Sequence, residues 1–177
     1  MITPISPISH IQLLCAFLEA LIIPTNIPPD SPREVYEVYF VFACIWAYGS
    51  ALFHDGQTDY KSEFSKYFLN QFQFVKFPKA ATVFDVWVDR DTQEFAHWSD
   101  MVPSFELEPD IPLQACLVHT AETIRIKYFL DLLVKLKFPT MLVGMAGSGK
   151  SLLINEKLLH MGEDYVVANI PFNYYYK

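Results

Sequence analysis

The chain has 177 residues, of which 52% are hydrophobic and 19% charged, and its net charge is −7. That balance excludes a disordered chain, which lacks the apolar surface to offset its ordering entropy, and it excludes a nucleic-acid-binding surface, which has to be basic. Cys15, Cys44 and Cys116 are widely spaced, form no C-x-x-C pair or zinc pattern, and fit buried free thiols in a reducing cytoplasm.

Residues 1–10 contain Pro and Ser and read as loose. Ile11–Ile23 reads as an apolar helix; it carries Glu19 and no preceding basic segment, so it is not a secretory signal. Four prolines between Pro24 and Pro32 mark a loop. Ser31-Pro32-Arg33-Glu34 then gives a helix start, with Ser at the cap, Pro at the first helical position and Glu at the third. This helix is expected to run to about Phe53. Val38–Phe53 is uncharged over 16 residues, short of a membrane span and interrupted by Gly49 and Ser50, which favours a buried core helix. Tyr60, Phe64, Tyr67, Phe68 and Phe72 recur at helical spacing and predict a second amphipathic helix.

The pattern changes after residue 75. Thr82–Val88 is β-branched and aromatic and reads as a strand, Asp89–Thr92 as a turn, and Glu94–Trp98 as the return strand. Asp89 and Asp91 shape that turn rather than serve catalysis. Pro103, Pro109 and Pro112 mark an irregular connection. Thr120 with Glu122 opens a further helix whose Ile124, Tyr128, Leu132 and Leu136 share a face, with Lys135 and Lys137 suiting its C-terminal end. Thr140–Val143 reads as a short buried strand, about 149–160 as a helix, and Tyr165–Ile170 as a second strand.

Between the first of these strands and the helix lies Gly144-Met145-Ala146-Gly147-Ser148-Gly149-Lys150-Ser151, which fits G-x-x-x-x-G-K-[ST]. Glycines let the backbone turn so that successive N–H groups face a phosphate, and the helix N-terminus adds partial positive charge. Lys150 would reach the β- and γ-phosphates of a bound triphosphate, and the Ser151 hydroxyl would meet Mg²⁺. Only 26 residues follow Ser151. They hold no acidic strand end for hydrolysis; Asp164 precedes the second strand and reads as a solvated turn residue. His54, His97, His119 and His160 are scattered without metal spacing. The expected fold is therefore α+β to α/β: a helical segment over residues 1–75, then an incomplete P-loop α/β part over residues 76–177. Three functions stay open: a nucleotide-binding segment, a structural piece that binds no nucleotide of its own, and a small P-loop kinase, which the shortage of chain after the loop disfavours.

Several stretches carry a family resemblance. Pro28-Pro29-Asp30, Tyr36–Gly49, Val102–Leu107, Pro112–Thr120 and Asn169–Tyr175 together resemble the axonemal dynein heavy chains, with the look of the β-type outer-arm chains. The likeness runs from about Ile11 to Tyr175 and is more specific than the phosphate loop alone. It implies a ring of six AAA+ modules in one long motor chain with a microtubule-binding stalk. Residues 11–74 would be the helical lid of the second module. Residues from about 76 would open the third, whose loop binds ATP or ADP and regulates the main motor site. Val118–Arg125 resembles the segment lining the adenine pocket, so backbone groups near Leu117 and Val118 would meet the adenine edge. The implied partners are the other AAA+ modules and, through the full heavy chain, intermediate and light chains and microtubules. The implied place is the cytoskeleton of a cilium or flagellum, with no nucleic acid and no membrane. Tyr176 stands where the family has Thr, and Met1–Ser9 matches poorly, so both ends read as those of a truncated or alternatively spliced product. The Walker B acids, sensors and arginine finger would lie beyond Lys177 or on neighbouring modules.

Overall fold

The computed structural model describes residues 5–52, 54, 56–79, 82–104 and 118–171. The chain divides into two compact units, Met1–Pro109 with Val118–Thr140, and Asp110–Leu117 with Met141–Lys177.

The first unit is built on three helices: α1 (Pro7–Leu21), α2 (Arg33–Gly49) and α3 (Tyr60–Gln71). Helix α1 starts four residues before the expected Ile11. The Ser6 hydroxyl accepts the Ile8 N–H at 3.3 Å and Pro7 opens the helix, so the Pro-Ser segment is a capped start rather than a loose tail. Helix α2 starts later than expected. Pro32, not Ser31, takes the cap position, and no side chain caps the helix. Its run Val41–Ala47 is buried on every side, the signature of a core helix. It ends at Gly49, ahead of the expected Phe53, a residue outside the described ones together with Asp55. Gly49 ends the helix hard against a ring: a Cβ there would stand 2.5 Å from Phe84 Cζ. Helix α3 follows its periodicity, capped by the Asp59 carboxylate. Ser62 hydrogen bonds hold that carboxyl below its ordinary pKa. Phe68 is buried, whereas Tyr60 and Tyr67 of the expected apolar face are exposed.

The expected strand from Thr82 is half realised. Val83–Asp85 form a 3₁₀ turn locked by a Thr82–Asp85 capping box, and only β1 (Val86–Val88) is extended. It pairs antiparallel with β2 (Phe95–His97), Trp87 opposite Ala96. In the connection the Asp89 carboxylate accepts the Asp91 N–H at 3.1 Å and the Thr92 hydroxyl at 3.0 Å, the local turn chemistry of aspartate. Helix α4 (Ala121–Lys135) opens with a reciprocal Thr120–Thr123 box. Tyr128, Leu132 and Ile124 of its apolar face pack on the core, joined by Phe129 and Leu133.

Aromatic rings fill that core. Phe129 sits 4.4 Å from Trp46 and 5.9 Å from Phe42, and Phe42 also meets Phe95 and Trp98. Such pairs add about 0.5–1.5 kcal/mol each beyond their buried area. The Trp98 indole donates to the Phe84 carbonyl at 3.1 Å, and the Arg125 guanidinium donates to the same oxygen at 3.3 Å. Burial pushes the Cys44 thiol up to about 11 and the Tyr128 hydroxyl up to about 12. Cys15, by contrast, is exposed, contrary to the reading of buried thiols; Cys116 lies outside the described residues. No helix among the described residues is long and apolar enough to cross a membrane.

The second unit contributes α5 (Lys150–Leu159) among its described residues. Neither expected strand forms there. Met141–Met145 and Tyr165–Ile170 are irregular, with Met141, Val143, Val166 and Ile170 more than half exposed. A buried parallel strand exists only through a neighbouring strand, and among the described residues the sole sheet is the β1–β2 hairpin.

Candidate functional site

The phosphate-loop motif folds as a compact turn onto α5. Gly147 and Gly149 adopt left-handed φ values of +77° and +79°. A side chain at either position would be strained, which is why the motif spends glycine there. Gly149 caps α5, and its carbonyl takes the first helical hydrogen bond, from the Leu153 N–H at 3.1 Å. A Cβ at either glycine would meet nothing within 4 Å, so the loop mouth is open. Only Leu153 of this helix is buried.

Lys150 is the first residue of the helix and turns its side chain back over the loop. Its ammonium donates to the Gly144 carbonyl at 2.9 Å, to the Met145 carbonyl, and to the Ser148 hydroxyl at 3.1 Å. The Ser148 hydroxyl in turn donates to the Met145 carbonyl at 2.9 Å. Gly144 is tightly fitted beneath them: a Cβ there would lie 3.2 Å from Ser148 Oγ and 3.6 Å from Lys150 Cδ. The first glycine thus makes room for the lysine, while the other two set the turn. This arrangement brings together Gly144, Met145, Ala146, Gly147, Ser148, Gly149, Lys150 and Ser151, with Ser151 exposed on the first turn of α5.

The donor set fits a phosphate chain. It offers a helix N-terminus of 10 residues, a cation at its mouth and glycines that leave space for an anion. Ser151 offers a neutral hydroxyl oxygen beside them, of the kind a hydrated Mg²⁺ could take. Among the described residues no group of three or more His, Cys, Asp or Glu side chains could hold a metal ion.

Of the two residues expected near adenine, Leu117 lies outside the described residues, and Val118 belongs to the other unit and is exposed. Asp164 lies in an exposed turn, as expected. The Lys150–Ser148 contact was not visible in the motif, because x positions carry no required chemistry. Another interaction also escaped the sequence reading. In the first unit Arg125 lies 5.6 Å over the Trp46 ring and Lys61 5.6 Å over the Phe84 ring. Burial, and then the charge of Arg125, hold the Lys61 ammonium below its ordinary pKa.

The chain is similar to known proteins along nearly its whole length. A family model described as "Dynein heavy chain AAA lid domain" matches residues 1–100, and one described as "P-loop containing dynein motor region" matches residues 105–177. The lid match carries the β1–β2 hairpin along with the helices, past the composition change at residue 75. Dynein axonemal heavy chain 17 of Homo sapiens is 54% identical over 175 residues, covering 98% of this chain and 4% of its own length. The ciliary dynein beta chain of Heliocidaris crassispina is 53% identical over 174 residues, again 98% of this chain and 4% of its own. The flagellar outer-arm dynein alpha chain of Chlamydomonas reinhardtii is 36% identical over 174 residues, with the same two coverages. The chain therefore spans about 4% of the length of the curated relatives it matches.

Proposed function

The chain belongs to the axonemal dynein heavy chains, with an AAA lid domain followed by a P-loop motor region, and from that premise we propose that it is the nucleotide-binding segment between two neighbouring modules of the motor ring. The lid would close the second module and the loop would open the third. ATP or ADP would lie along Gly144–Ser151, with Lys150 on the β-phosphate and, for ATP, the γ-phosphate, and Ser151 toward Mg²⁺. The observation that carries this reading is the loop itself: two left-handed glycines, an open mouth, and a lysine ammonium held over it.

Binding here is regulatory rather than an independent source of motion. In-line hydrolysis requires a carboxylate near the metal and charge stabilisation of the transferring group, and the loop brings only its cradle and Lys150. The motor activity belongs to the long chain. So do the partners, namely the other ring modules, intermediate and light chains, and microtubules, and the setting, a ciliary or flagellar axoneme. The β-type likeness rests on the ciliary beta chain among the similar proteins.

A fluorescent ATP analogue with Mg²⁺ tests the reading. The chain should bind it saturably, and Lys150→Ala should weaken binding at least about tenfold, the value of a hydrogen bond to a charged group. Absence of saturable binding in the unchanged chain overturns it. Robust turnover abolished by Lys150→Ala would overturn the regulatory assignment while keeping the site. A second reading is favoured by the exposed apolar residues at Met141, Val143 and Val166: the segment is structural by itself and acquires nucleotide only beside other modules. The same titration separates the two.

A further inference from the structure

The Lys150 ammonium has three N–H bonds, and the loop uses all of them on Gly144 O, Met145 O and Ser148 Oγ. A phosphate oxygen can reach this cation only by replacing one acceptor. Two of the three are backbone carbonyls, fixed by the same turn that shapes the loop. The third is a side-chain hydroxyl, neutral and rotatable, and at 3.1 Å the longest of the three contacts. Its own proton is committed to the Met145 carbonyl at 2.9 Å, so a lone pair remains for the ammonium. An anionic phosphate oxygen is a stronger partner for an ammonium than a neutral hydroxyl is, because it adds the attraction of opposite charges.

We propose that Ser148 is a positioning residue that stands in for a phosphate oxygen at Lys150 when no polyphosphate is bound. It holds the ammonium over the loop mouth and is the contact exchanged when the ligand arrives. This rests on the reading of the loop as a nucleotide site. Once displaced, the hydroxyl keeps its own bond to the Met145 carbonyl and gives up only one accepted bond. The contact requires a hydroxyl and no particular side-chain shape.

Lysine acylation in the intact chain, read by mass spectrometry, tests this with Lys157 of the same helix as the internal reference. Without ligand, Lys150 should acylate roughly tenfold faster relative to Lys157 in Ser148→Ala than in the unchanged chain, the size expected for losing a hydrogen bond to a charged group. Ser148→Thr should restore the slow rate, and the shape-matched Ser148→Val should not. If the alanine variant loses α5, both lysines speed up together, and the threonine–valine pair, which differs by one hydroxyl, decides. Equal Lys150 rates in threonine and valine variants overturn the proposal. Inorganic triphosphate with Mg²⁺ should then protect Lys150 in the unchanged chain. Failure of that protection, with the hydroxyl dependence intact, removes the nucleotide reading and the stand-in role with it. Failure of the hydroxyl dependence, with protection intact, removes only the role of Ser148.

Discussion

The two units hold their apolar residues in opposite ways. In the first, Phe42, Trp46, Phe84 and Trp98 are buried in one aromatic cluster shared by helices and a short hairpin. In the second, Met141, Met145, Leu159 and Val166 are each at least three-quarters exposed, and among its described residues only Leu153 is buried. The difference separates two sources of order. One unit is ordered by contacts between its own side chains. The other is ordered locally, by glycine turns, one helix and a lysine that bonds its own loop. Substitutions that remove packing should therefore act strongly in the first unit and weakly in the second.

The largest expected effect is Phe42→Ala. Phe42 is fully buried and touches five other rings, and its loss should cost about 3–5 kcal/mol in denaturant unfolding. A cost below about 1 kcal/mol would mean that the cluster is not the source of stability. Gly49→Ala comes next. The added methyl would press on the Phe84 ring at 2.5 Å, and overpacking of this kind costs about 1–3 kcal/mol. A neutral result would show that α2 and the 3₁₀ turn can slide apart. The smallest effect belongs to Val166→Lys at the 98% exposed position in the second unit. It should change stability by no more than about 0.5 kcal/mol while reducing self-association measured by light scattering. A loss comparable to that of Phe42→Ala would erase the contrast between the units.

Helices were legible from the sequence and strands largely were not, for a physical reason. A helix closes its hydrogen bonds within itself, so caps and apolar spacing in one segment suffice. Thr120 shows this directly. The Ser6-Pro7 start was available in the same terms as Ser31-Pro32, yet composition at the terminus suggested looseness instead. At Ser31-Pro32 the cap moved by one residue, a reminder that the signal marks a neighbourhood more than a position. A strand closes its bonds on another segment. Thr140–Val143 and Tyr165–Ile170 have the right residues for strands but no pairing neighbour among the described residues. The candidate site was legible where its chemistry lies in the backbone, at Gly147 and Gly149. It was not legible where side chains choose each other, as Ser148 and Lys150 do.

The aromatic cluster has an optical consequence. The chain has three tryptophans, Trp46, Trp87 and Trp98, and all belong to the first unit. Trp98 and Trp46 are nearly inaccessible to water, so their emission should be blue-shifted while that unit is folded and should move red when it opens. Tryptophan emission is thus a selective gauge: it registers melting of the lid helices and hairpin, and it carries no tryptophan of the phosphate loop to report there. A ligand bound at Gly144–Ser151 needs a label of its own to be seen.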